Sequence, residues 1–220
     1  MKWASSLKQI SDTAIRQAGT NNGWTLHITG AACAGNLAVG IGKLVIGILS
    51  LSLFTCASAF YTFGMVAAKC FALAGIVKGG DSREQYCYYR ASGIVLICAS
   101  ILYIIYSIRL FVNPVNSAYS MNTALGIATF TFAELTLNIK GVIMERHNHT
   151  LLIHAIKMVN LASAFICLVL TQAAILSFAD AQTVHHPAAN GFMGILMGSA
   201  AALLGVIMII RIARIEKRCS

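Results

Sequence analysis

Between residues 31 and 77 the chain runs 47 positions with only two charges, Lys43 and Lys69. A single helix of that length would be about 70 Å long, more than twice the roughly 30 Å hydrocarbon core of a bilayer, so the stretch must fold back on itself. Ser50, Leu51 and Ser52 supply the expected turn. Further apolar segments at 91–112, 121–139, 151–178 and 191–210 bring the expected number of helices to six. The fold class expected is therefore all-α, an integral membrane six-helix bundle. It divides into an N-terminal segment (1–29), a transmembrane domain (30–210) and a short basic tail (211–220).

Composition supports this reading. Apolar residues make up 58% of the 220 and charged residues 10%, well under the quarter or so usual for a soluble domain. The net charge of +9 is distributed rather than pooled. Lys2, Lys8, Arg16, Lys78, Arg83, Arg90, Lys140, Arg146, Arg211, Arg214, Lys217 and Arg218 all fall in the four segments that six helices would place on one side. The intervening turn and loops on the other side carry no basic residue. This asymmetry predicts a multi-pass protein of the cell membrane with both termini cytoplasmic, and it excludes a nucleic-acid-binding patch. In the N-terminal segment, Trp3, Leu7, Ile10 and Ala14 share one helical face opposite Lys2, Lys8, Asp12 and Arg16, the pattern of a helix lying in the headgroup region.

Seven cysteines are scattered, mostly inside the apolar segments and without a Cys-x-x-Cys pair. They predict neither a disulfide framework nor a zinc site, and they read as small packing residues. His147 and His149 in one loop, and His185 and His186 beside Asp180 in another, read as solvated loop residues. No nucleophile, base and orienting acid stand in a catalytic pattern, so an enzyme is not expected. Neither is a cofactor. The expected surroundings are the lipid bilayer and a membrane partner or second copy.

Three runs of residues carry a family resemblance. Asn36-Leu37, Lys43-Leu44-Val45-Ile46-Gly47 and Ser52-Leu53 form the first. Tyr86 to Ala91 followed by Ile108 to Pro114 form the second, and Leu151-Leu152-Ile153-His154-Ala155 after the histidine-bearing loop the third. In this order and spacing they resemble the membrane domain of the cation diffusion facilitator family, proton-coupled exporters of divalent metals. The resemblance implies a cation-efflux type of bundle in which helices two and five each present a His or Asp and, four residues later, an Asp to the ion. The corresponding positions here are Tyr61 and Met65, and Lys157 and Leu161. None is a good zinc ligand, and no metal is assigned to them. The family's cytoplasmic ferredoxin-like domain would follow the sixth helix, but the chain given ends at Ser220, so dimerisation through that domain is not expected.

The intramembrane ionisable residues Lys43, Lys69, Glu134 and His154 are then the candidates for function. Glu134 and Lys157 lie at similar distances in sequence from the loop between helices four and five, which predicts an ion pair between them. The alternatives are that Lys157 snorkels to the cytoplasmic surface unpaired, or that Lys43, which has no other acidic residue in a span, is the partner of Glu134. Lys69 is expected to snorkel toward the membrane surface. Asn36, Ser58, Thr62, Asn138, Asn160, Ser163 and Gln172 add polar positions inside the spans. Two functions follow as expectations. One is a solute or cation transporter that has lost the usual divalent-metal site. The other is a non-transporting relative that acts as a membrane partner or regulatory subunit.

Overall fold

The computed structural model describes residues 29–49, 53–78, 82–113, 121–144, 150–179 and 187–219. They form six helices and no strand: α1 (Thr29–Leu49), α2 (Leu53–Lys78), α3 (Ser82–Val112), α4 (Met121–Met144), α5 (Leu151–Ala179) and α6 (Pro187–Cys219). The turn at 50–52, the N-terminal amphipathic pattern and the loop histidines His147, His149, His185 and His186 lie outside the described residues.

By their described residues, five of the six helices are long and apolar enough to cross a membrane. The 24 residues of α4 would span about 36 Å, and this helix carries Thr129, Thr131, Glu134, Thr136, Asn138 and Lys140. Three of its threonines return their hydroxyl protons to the carbonyl four residues back, at 2.8 to 2.9 Å, which lowers the cost of placing them in an apolar medium. The outer faces of the bundle are apolar, with Leu49, Phe60, Leu102, Leu125, Phe132 and Leu203 more than half exposed. A surface of that kind suits hydrocarbon rather than water.

The bundle has two halves that share α2 and α5. The dry half adds α3 and α6, and its core is Tyr61, Met65, Leu96, Tyr103, Ile156, Val159, Ile166 and Met208, with Ala68, Ala155, Ala162 and Ala201 admitting close helix approach. The polar half adds α1 and α4. α5, common to both, carries the most deeply buried span of the five that qualify.

Small residues set the spacing within each half. Along the α3–α6 seam, Gly191 faces Phe111, Gly194 faces Ser107, Gly198 faces Ile104 and Gly205 faces Ile97, an antiparallel register with no room for side chains on the α6 side. In the α1–α2 hairpin, Gly40 lies against Phe63 and Gly47 against Cys56. Gly47 and Gly40 are seven residues apart, as are Cys56 and Phe63, the repeat by which two helices stay in contact over several turns.

A methyl group on Gly191 would stand 2.8 Å from the Phe111 backbone nitrogen, whereas one on Gly30 would meet nothing within 4 Å among the described residues. Gly191→Ala should therefore lower stability by about 1–3 kcal/mol despite alanine's better helix propensity, and Gly30→Ala should be neutral or mildly stabilising. Thermal unfolding of the two variants in the same detergent provides the comparison.

Candidate functional site: a buried polar network

Polar residues accumulate where α1, α2, α4 and α5 meet. A helix brings residues three, four and seven apart onto one face. Asn36 and Lys43 thus share a face of α1, Thr62 and Lys69 a face of α2, and Glu134 and Asn138 a face of α4. α5 contributes Ser163. All seven side chains are at most 1% exposed.

Glu134 lies at the centre. Its Oε2 is paired with Lys43 Nζ. Its Oε1 accepts from the Ser163 hydroxyl at 3.1 Å and from Thr62 at 3.2 Å, and the Thr62 proton is shared with the Ser58 carbonyl at 3.0 Å. Ser163 in turn accepts from Asn138 Nδ2 at 2.9 Å. Asn138 Oδ1 then receives two donors, Lys69 Nζ at 3.0 Å and Asn36 Nδ2 at 3.2 Å. A continuous chain of hydrogen bonds therefore runs from Lys43 through Glu134, Ser163 and Asn138 to Lys69. Asn36 Oδ1 and Ser58 Oγ, both buried at its margin, have no partner among the described residues.

In its ordinary charge state this cluster holds two ammonium groups and one carboxylate. Ammonium groups in a low-dielectric interior need compensation, and the carboxylate is paired with Lys43. The amide of Asn138 supplies the remaining dipole, with its oxygen facing Lys69 and its NH₂ facing the Ser163 hydroxyl on the carboxylate side.

The ion pair expected between Glu134 and Lys157 is corrected by this geometry, since the carboxylate is held by Lys43. Depth along the helices explains the difference. Glu134 lies ten residues before the end of α4 at Met144, and the α5 residue at the same depth is Ser163, twelve residues into its helix. Lys157 lies six residues short of Ser163, about 9 Å along the axis, and is half-buried on a different face of α5. Lys69 is also corrected. It is 1% exposed and turned inward onto Asn138 rather than snorkelling.

The four positions suggested by family resemblance separate into two groups. Tyr61 and Met65 face α5 from α2 and are buried in the dry core, with the Tyr61 hydroxyl donating to the Ala162 carbonyl at 3.3 Å and its ring 5.5 Å from that of Tyr103. Leu161 and Lys157 are only half-buried. They sit on a face of α5 turned by 100° or more from Ala162, which meets Tyr61. His154 belongs to neither group. Its Nδ1 is hydrogen-bonded to the Tyr89 hydroxyl of α3 at 3.0 Å, and Arg211 of α6 stands within electrostatic reach of both. Among the described residues no three His, Cys, Asp or Glu side chains gather as a metal site would require.

A cavity of about 490 Å³ lies beside Tyr61, lined by Phe60, Gly64, Ile94, Cys98, Leu102 and Tyr103. Phe60 and Leu102 are among the most exposed apolar residues of the bundle, so the cavity opens on its lipid-facing side and does not reach the polar network. No family model matches the chain, and no curated protein matches it.

The count of charges makes the two ends of the ion pair unequal. Glu134→Gln leaves two buried ammonium groups without a carboxylate, whereas Lys43→Met leaves Glu134 with Lys69 nearby at the other end of the same chain. Glu134→Gln is expected to cost about 3–5 kcal/mol, and Lys43→Met distinctly less. Adding Lys43→Met to Glu134→Gln should recover part of the loss. A double-mutant cycle by thermal or denaturant unfolding in detergent measures all three.

Proposed function

We propose that the chain is a membrane carrier whose architecture is of the cation-efflux type and whose exchangeable cation is the proton rather than a divalent metal. The supporting observation is the closed hydrogen-bonded chain from Lys43 through Glu134 to Lys69, buried at the meeting of four helices. Ionisable residues inside a bilayer are costly and commonly line pathways for ions or solutes. An excess of ammonium groups repels a divalent cation approaching through a low-dielectric medium, and the positions the family uses for its metal hold Tyr61, Met65, Lys157 and Leu161.

A proton can enter such a site where a metal cannot. Protonation of Glu134 would remove the charge that binds Lys43, loosening α1 from α4. Loss of that proton would draw the helices together again. The polar half, with α1 and α4, is then the moving part against a packed dry half. A solute carried in exchange would be admitted when α1 separates. In this reading the protein crosses the cell membrane six times with both termini in the cytoplasm.

One observation favours the alternative, a non-transporting partner of another membrane protein. Tyr61 and Met65 are packed among apolar side chains, and the adjoining cavity faces lipid, as a docking or scaffold role would allow.

Reconstitution separates these readings. Proteoliposomes loaded with a pH-sensitive dye and, in parallel, with a zinc-sensitive dye are given gradients of Zn²⁺, Na⁺, K⁺, chloride and mixed amino acids. The expected result is proton movement driven by one non-metal gradient, lost in a Glu134→Gln variant that still purifies as a folded helical protein, with no zinc signal. Zinc flux would restore the metal reading, and silence under every gradient would favour the partner role.

A further inference from the structure

The α1–α2 hairpin continues its seven-residue register one layer beyond the glycines. Gly47 meets Cys56 and Gly40 meets Phe63, so the next layer pairs residue 33 with residue 70, and both are cysteines. Their sulfur atoms are 3.7 Å apart. Cys33 is 7% exposed and lies in the groove of α2 between Val66, whose carbonyl its thiol also approaches at 3.9 Å, and Cys70 one turn further on. Cys70 is exposed at the bundle surface. The two helices therefore hold one shielded and one accessible thiol in van der Waals contact, and Cys70 follows directly after Lys69 in the chain.

From this arrangement we infer that Cys33 and Cys70 are an oxidisable pair that a small-molecule disulfide converts to an interhelical disulfide fastening α1 to α2. The two steps balance. The Cys70 sulfur, its proton lost, attacks one sulfur of the oxidant, forming a mixed disulfide and releasing one small thiolate. The Cys33 sulfur then attacks Cys70, and the second small thiolate leaves. Two protein thiols are oxidised by two electrons, one small disulfide is reduced to two thiols, and the two protein protons go to the departing thiolates. Joining the sulfurs requires closing 3.7 Å to the roughly 2.05 Å of a disulfide bond, a movement within the reach of side-chain rotation.

The other four cysteines whose side chains are described lack this arrangement. Cys56 faces Gly47, Cys167 is buried in α5, and Cys87 and Cys98 are exposed on α3. The bond would tether the lower part of α1, which carries Asn36 one turn above Cys33, to the helix that carries Lys69. Its formation does not depend on whether the chain transports anything.

The test uses the full-length chain in lipid nanodiscs treated with the permeant reagent 2,2′-dipyridyl disulfide, followed by alkylation of free thiols and peptide mapping by mass spectrometry. The expected product is a Cys33–Cys70 linked peptide, two mass units lighter than the sum of the reduced peptides, forming at least tenfold faster than any other cysteine pairing. Mapping the native chain needs no variant. Cys33→Ser should leave Cys70 as a stable mixed disulfide with the reagent, a second readout in the folded protein. Recovery of both residues in alkylated form, or a linkage of Cys70 to another cysteine at a comparable rate, would overturn the proposal.

Discussion

A single carboxylate buried among two lysines constrains the polar half of this bundle more than any other interaction. Glu134 cannot be removed from water without partners, and its two oxygens accept from Lys43, Ser163 and Thr62, donors from three different helices. The second ammonium, Lys69, is tolerated because Asn138 turns its oxygen toward it and its NH₂ toward the Ser163 hydroxyl beside the carboxylate. Each helix in this half therefore has a fixed rotation and depth. Turning α4 by one residue would move Glu134 by 100° and break contacts to three neighbours together.

The dry half is organised by shape instead of charge. Glycines of α6 let α3 approach until backbone and side chain touch, and alanines of α5 do the same for α2. In lipid, apolar side chains gain little by leaving their surroundings, so close packing and interhelical hydrogen bonds take over the work that the hydrophobic effect does in water. The division between halves passes through α2 and α5, each of which presents small and apolar residues on one side and Thr62, Lys69 or Ser163 on the other.

Much of this architecture is legible in the sequence. The apolar runs locate all six helices, although α3 begins nine residues before its apolar run and α6 ends nine residues beyond its own, and the hairpin follows from length alone. Glu134 and the polar positions Asn36, Thr62, Asn138 and Ser163 stand out as polar residues in apolar segments. Their pairing does not follow, because the sequence gives spacing along each helix but not the relative depth of two helices. Counting residues from the α4–α5 loop put Glu134 level with Lys157, whereas the unequal helix overhang puts it level with Ser163. The inward turn of Lys69 depends on an amide from a distant helix, Asn138, that no local pattern announces. The repeat of Cys33, Gly40 and Gly47 is visible in the chain, yet it acquires meaning only beside Cys70, Phe63 and Cys56 in antiparallel order.

The order of the buried charges along the chain has a consequence for how it comes to be assembled. Helices leave the ribosome in order, so α1 and α2 enter the membrane carrying Lys43 and Lys69 well before the carboxylate that answers them exists. Until α4 arrives, the bilayer or the insertion machinery must harbour two ammonium groups with no counter-charge inside the span. When α4 does arrive, it brings Glu134, the carboxylate that pairs with Lys43. The same residues that hold the finished bundle together thus couple its fourth helix to its first, and the charge carried in early by α1 is answered only when tertiary contact with α4 forms.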